Sequence, residues 1–120
     1  MAMIISPLLR IQNQIRIFHW QTNSYAEHKA FGKTYENLDE LVDSFVESFF
    51  GKYGKVKAKL SYNIVLVNYD SDPIIFVDEC VSTFKNIRNE LDSDKDSELL
   101  NILDEMLAEM DKLKYLLTLK

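Results

Sequence analysis

Apolar residues recur at intervals of three and four positions over four stretches of the chain, with polar residues between them. This spacing is typical of amphipathic helices that turn one apolar side toward a common core. The first stretch predicts a helix over about 7–21, because Ser6 and Pro7 suit a helix start and apolar residues then recur up to Trp20.

The second stretch has the most regular pattern in the chain. Ser24 and Glu27 have the spacing of a capping box, so the helix is expected to begin directly after Ser24. It is expected to run to about Phe50 and to stop at Gly51, because glycine is favoured just past a helix end. Its apolar positions advance in steps of four and three: Phe31, Tyr35, Leu38, Val42, Phe45 and Phe49.

Two further helices are predicted in the second half of the chain. Asp72 and Pro73 repeat the signal of a cap followed by proline and open a helix over about 73–92. A polar turn then precedes a fourth helix over about 97–118. The intervening residues 52–72 are rich in lysine and β-branched residues, which indicates an extended segment: a strand paired with its own symmetry mate, or else a short helix.

The order of these elements predicts the fold class. Four amphipathic helices with two short links and one long link favour an all-α, ferritin-like four-helix bundle with a long crossover connection between helices two and three. A chain of 120 residues fits a single helical domain over 1–120. The presence of only 3 Gly and 2 Pro argues against an all-β fold, which needs many turns.

Composition excludes several classes of protein. The single cysteine, Cys80, excludes an intrachain disulfide and a cysteine-cluster metal site. No apolar stretch is long enough for a signal peptide or a membrane span, so a soluble, cytoplasmic protein without a membrane partner is expected.

The charge distribution disfavours nucleic acid as a partner. The formal net charge is −5, and residues 61–120 carry thirteen acidic against six basic side chains. The first half contains a weak basic patch with few aromatic residues for stacking, which is more typical of a soluble edge. Its members are Lys52, Lys55, Lys57 and Lys59.

Candidate metal ligands lie around the first helix break and along the second helix. His19 and His28 flank the break, while Asp43 and Glu47 are four residues apart and share one helix face. Two imidazoles and two carboxylates form a ligand set that iron accepts, and zinc in its place. Two further carboxylates fall in the same arc and are auxiliary candidates: Glu36 and Asp39.

The spacing of these ligands has a consequence for assembly. His28 and Asp43 are fifteen residues apart, which places them roughly 22 Å apart along a helix, too far to share one ion. An antiparallel copy of the helix across a two-fold axis would bring the histidines of one chain to the carboxylates of the other. A homodimer or a larger closed oligomer is therefore expected, with Asp39 close to the axis. Leu41, Val46 and Phe50, which lie outside the apolar seam of the helix, favour the same contact.

These residues resemble the Dps branch of the ferritin-like superfamily over roughly residues 8–50. The resemblance lies in His19 and Trp20 at the end of the first helix, a second histidine opening the next, and the acidic pair fifteen residues later. It implies a ferroxidase centre that binds iron between two-fold-related subunits, with His19 and His28 from one and Asp43 and Glu47 from the other. The family carries an aspartate four residues after the second histidine, where this chain has Gly32, and its members are longer.

A second interpretation belongs to a different class of function. The chain is then a non-catalytic structural or interaction protein that keeps the bundle and has lost the metal chemistry. Gly32 and the short length favour this interpretation, in which both histidines serve only as hydrogen-bonding groups at an interface.

Overall fold

The computed structural model describes residues 4–70 and 72–119, and these residues form four α-helices and no strand. The helices are α1 (Ile5–Gln21), α2 (Tyr25–Tyr53), α3 (Ile74–Asn89) and α4 (Ser97–Leu116). The all-α class and the four-helix bundle predicted from the apolar spacing are confirmed.

The start of α2 matches its predicted cap, but only in part. The Ser24 hydroxyl accepts a hydrogen bond from the Glu27 amide at 3.2 Å, as expected of an N-cap. The Glu27 carboxylate does not complete the capping box. It accepts instead from the hydroxyls of Thr22 at 2.7 Å and Tyr69 at 2.6 Å, so it joins the helix start to the α2–α3 link.

Several helix ends differ from the predicted bounds. α1 begins at Ile5 without a side-chain cap, and Pro7 lies within its first turn, where a missing N–H does no harm. α2 passes through Gly51 and ends at Tyr53. Its C-cap, Gly54, has a φ of 91°, which is in the left-handed region that glycine tolerates. The predicted stop at Gly51 was wrong. α3 and α4 end a few residues earlier than predicted.

Ion pairs between helices show their relative directions. Lys52 near the end of α2 pairs with Glu98 near the start of α4 at 3.1 Å, so these two helices are antiparallel. Lys114 near the end of α4 pairs with Asp78 near the start of α3 at 3.1 Å, so α3 and α4 are antiparallel as well. α2 and α3 therefore point the same way.

The link between α2 and α3 contains neither helix nor strand in its described residues, and residue 71 lies outside them. A fully buried side chain of α1 holds it: the Gln14 amide donates to the Val67 carbonyl and accepts from the Val67 N–H, both at 2.8 Å. The Gln21 side chain also accepts from the Tyr69 N–H at 2.7 Å. The side-chain amide of Gln14 thus makes the two hydrogen bonds to Val67 that the backbone of a neighbouring strand would otherwise make.

The core is built from the predicted apolar seams of all four helices. In α2 the seam residues are buried, except for Tyr35, which is half-buried at its edge. Leu41, Val46 and Phe50 are also half-buried and pack against this core. Their apolar surface is covered largely within the chain, and it no longer argues for a second subunit. Among the described residues, no helix is long and apolar enough to cross a membrane.

Candidate functional site

The short turn between α1 and α2 brings the two histidines into direct contact. His19 lies in the last turn of α1 and His28 in the first turns of α2. Their rings stack with centroids 3.9 Å apart and planes inclined by 15°. Both residues are half-buried, and the ring of Tyr25 also stacks with His28, with the centroids 6.2 Å apart.

Each histidine is hydrogen-bonded to the backbone of the other. Nδ1 of His19 lies 2.7 Å from the carbonyl oxygen of His28, and Nδ1 of His28 lies 2.8 Å from the carbonyl oxygen of His19. A carbonyl only accepts, so we assign the proton of each ring to Nδ1. With Nδ1 engaged in this way, Nε2 of each ring is left as the nitrogen that can bind a further group.

The position of His19 gives a physical reason for Gly32. A Cβ at residue 32 would lie 2.9 Å from Cε1 and 3.1 Å from Nδ1 of His19. The imidazole therefore occupies the space that any side chain at this position would need. The Dps resemblance expects an aspartate at this position, but glycine is needed there to make room for the His19 ring.

The histidine pair borders an open cavity of about 500 Å³. The other residues that line it come from the exposed face of α2: Lys29, Gly32, Lys33 and Glu36. Two lysines and one glutamate thus line the cavity beside the pair. A cation bound here needs further carboxylates, because the two lysines oppose it.

The acidic pair lies elsewhere on α2. Asp43 and Glu47 are exposed, and because α2 is one continuous helix they are roughly 22 and 28 Å from His28 along its axis. Within residues 4–70 and 72–119, no group of three or more His, Cys, Asp or Glu side chains is close enough to hold a metal ion. One chain brings together the two histidines but not the four predicted ligands.

The auxiliary candidates have different surroundings. Asp39 accepts a hydrogen bond from the Gln12 amide at 3.0 Å, so one of its oxygens already has a partner in α1. Glu36 lies at the edge of the histidine cavity. Of the two carboxylates, Glu36 is therefore the one nearer to the histidines.

The cationic residues on the surface formed by α1 and the first half of α2 were not predicted as functional residues from the sequence. Arg16 of α1 lies against two aromatic rings, with its guanidinium carbon 5.6 Å from the ring centre of Trp20 and 4.4 Å from that of Tyr35. The signal for Arg16 was its spacing of four residues from Trp20. Lys29 and Lys33 follow His28 closely, and their place on the exposed side of α2 could have been derived from the helical period.

Comparison with known proteins identifies a family without a known role. The family model that matches is described as "Family of unknown function (DUF5856)", and it covers residues 19–117. An uncharacterized 14.6 kDa protein in the mobD-ri intergenic region of Enterobacteria phage T4 is 35% identical over 48 residues. That alignment spans 40% of this chain and only 38% of the phage protein. No solved structure matches the chain.

These comparisons correct the assignment made from the sequence pattern. The predicted membership of the Dps branch of the ferritin-like superfamily was wrong, because the matching family is one of unknown function and the phage relative is uncharacterized. The arrangement of His19 and His28 therefore has to be interpreted from its own geometry.

Proposed function

We propose that this protein, which belongs to the family of unknown function DUF5856, binds a divalent metal ion between two copies of itself. The ion is iron(II) or zinc. In this proposal His19 and His28 of one copy and Asp43 and Glu47 of the other supply the ligands. Glu36 and Asp39 are auxiliary groups nearby. The proposed location is the cytoplasm.

The observation that carries the proposal is the pair of Nδ1 hydrogen bonds to backbone carbonyls, at 2.7 and 2.8 Å. Histidines that bind metals commonly donate their second ring N–H in this way, which fixes the tautomer and the orientation of the ring. Both histidines here are held on the Nδ1 side and leave Nε2 for a ligand. The stacking of the rings restricts them further, so little side-chain freedom remains to be lost on binding.

Charge as well as distance supports the second copy. The histidine cavity of one chain contains Lys29 and Lys33, while the carboxylates that suit a cation lie further along α2. Imidazole nitrogen with carboxylate oxygen suits iron and zinc. Iron(II) at a site with open positions is suited to oxidation by dioxygen or peroxide, which is the ferroxidase form of the proposal. Gly32 provides no carboxylate, so ligation rests on the acidic pair.

A second candidate is a non-catalytic structural or interaction protein. The same pair of hydrogen bonds supports it, because they join the end of α1 to the start of α2 without any metal. Gly32 then serves only to make room for the His19 ring. The two candidates differ in whether the Nε2 atoms bind anything.

The test is an anaerobic titration with iron(II), repeated with zinc, in which calorimetry measures the binding. We expect about one ion per chain for the wild type and at least tenfold weaker binding for His28→Ala and for Asp43→Ala. Asp111→Asn is the matched control, since Asp111 is an exposed carboxylate on α4. Equal binding by all four proteins would remove the metal proposal and leave the interaction protein.

A further inference from the structure

The charges on the exposed face of α2 are separated by sign. The exposed cations of its first half are Lys29 and Lys33, and every exposed charged residue between Glu36 and Glu47 is acidic. At about 100° per residue all of them fall within one arc of the helix. The acidic members are Glu36, Asp39, Glu40, Asp43 and Glu47.

This arrangement is unfavourable within a single chain. Residues four apart on a helix are neighbours, and like charges at that spacing repel each other. Among the described residues, the ion pairs of the structure include none of these side chains. The like-charged neighbours are Lys29 with Lys33, Glu36 with Glu40, Asp39 with Asp43, and Asp43 with Glu47.

The adjacent surface of α1 adds a third cation and exposed aromatic rings. Arg16 is exposed and lies over the ring of Tyr35, in the first half of α2. Trp20 and Tyr25 are 64% and 74% exposed at the basic end of this surface. Exposed Trp, Tyr and Arg are the residues that most often anchor protein interfaces.

We propose that this face of α1 and α2 docks on the same face of a second copy, with the two α2 helices antiparallel. The basic end of each α2 then lies against the acidic end of the other, which is the pattern that an isologous contact requires. The occupant is a second copy because one surface carries both halves of the complementary pattern. A purely basic partner would match only the acidic half and would meet Lys29, Lys33 and Arg16.

The register of this contact rests on the proposed function. In the proposed site, His28 of one copy is level with Asp43 and Glu47 of the other. The two-fold axis must then cross α2 halfway between them along the helix, which is between Glu36 and Asn37. Lys33 then lies level with Glu40 of the second copy, on the same side of the contact. Five carboxylates and three cations leave an excess of two negative charges per chain, which one divalent ion per chain would balance.

Charge reversal at Lys33 and at Glu40 provides the test, because neither residue is a proposed metal ligand. The mass in solution is measured by sedimentation equilibrium at low salt with EDTA present, which removes metal from the comparison. We expect a dimer for the wild type and at least tenfold weaker association for Lys33→Glu and for Glu40→Lys, since each variant places like charges opposite each other twice. Lys85→Glu on α3 is the control, because Lys85 is exposed and lies outside this face.

The two variants should also rescue each other. An equimolar mixture of Lys33→Glu and Glu40→Lys should form a heterodimer, because both contacts then join opposite charges. A chain that carries both changes should form a homodimer for the same reason. A monomeric wild type, single variants that remain dimers, or a mixture that remains monomeric would each overturn the docking. A dimer that binds no metal would overturn only the proposed function, whereas a wild-type monomer that binds metal would overturn both the docking and the sharing of ligands between two copies.

Discussion

The His19 ring fills the space beside Gly32, and this contact can be tested with a single added methyl group. In Gly32→Ala the new Cβ would be 2.9 Å from Cε1 of His19, so we expect the ring to move and its bond to the His28 carbonyl to weaken. Helix propensity favours alanine by about 1 kcal/mol, and the lost hydrogen bond costs about as much. We therefore expect little change in the free energy of unfolding, but faster exchange of the Nδ1 protons in NMR spectra.

Gly51 provides the matched control for this substitution. It also lies within α2, but a Cβ there would meet nothing within 4 Å. Gly51→Ala should therefore stabilise the protein by about 0.5–1 kcal/mol in denaturant unfolding. An equal gain in both variants would show that the His19 ring does not restrict position 32.

Cys80 illustrates a residue whose chemistry is suppressed by its position. The thiol is buried in the core, and burial raises its pKa well above the ordinary value, so the reactive thiolate is scarce near neutral pH. We expect slow reaction of the native protein with a disulfide reagent at pH 8 and fast reaction in denaturant. Rapid labelling of the native protein would contradict this burial.

At the scale of single residues, the sequence predicted that the two histidines flank one turn but not how they are used. The break between His19 and His28 indicated that both histidines flank one turn. It could not show that each Nδ1 would reach the other's carbonyl, because that depends on the distance between the two helix axes. The role of Gly32 depends on the same distance.

The link between α2 and α3 depends on one buried amide. Gln14 makes two hydrogen bonds of 2.8 Å to the backbone of Val67, and replacing it with leucine would remove both of them. We expect Gln14→Leu to lower the free energy of unfolding by about 1–3 kcal/mol and to speed proteolysis within residues 59–66. Gln21→Leu should cost less, since Gln21 is exposed and water can replace its bonds. Equal losses in both variants would contradict the anchoring role of Gln14.

The end of α2 is tied to the turn before α4 by a buried carboxylate. The Tyr53 hydroxyl and the Asp92 N–H donate to Asp96, and Lys52 pairs with it at 3.1 Å, so the pKa of Asp96 lies below its ordinary 3.8. A pKa that folding lowers gives stability that is complete above the unfolded value and is lost as the pH falls through the folded value.

Replacement of this carboxylate should therefore show a defined pH dependence. We expect Asp96→Asn to lower the melting temperature at pH 7, and the difference from wild type to shrink once the pH falls below the ordinary aspartate pKa of 3.8. Asp94→Asn is the control, because the Asp94 side chain is exposed and takes part in none of the described hydrogen bonds. A difference that stays constant from pH 7 to pH 2 would contradict the role of the ionised carboxylate.

Local patterns predicted the helices well because the apolar period and the caps act over a few residues. The seam of α2 and the cap at Ser24 were both correct. The end of α2 was misplaced because Gly51 was taken as a stop, whereas the left-handed residue is Gly54. The conformation of the link could not be predicted, since it is fixed by Gln14, which is distant in sequence.

At the scale of the whole molecule, the fold class was predictable and the family was not. The resemblance rested on a few positions within residues 8–50, whereas the family match extends over residues 19–117. One fold supports many functions, so a few residues of metal-binding types on two helices do not identify a family. What these residues still support is a claim about binding and assembly, which experiment can address directly.

Metal binding and dimer formation should be thermodynamically linked if the ligands come from two copies. A metal that binds only the dimer strengthens association by the same factor by which association strengthens metal binding. We expect the dimer dissociation constant from sedimentation velocity to be at least tenfold lower with zinc than with EDTA. In His28→Ala the value in EDTA should stay close to wild type, because His28 is not one of the paired charges, while the response to zinc disappears. A wild-type dimer that zinc does not tighten would show that the ligands do not come from both copies, and an equal response in the variant would show that zinc acts elsewhere.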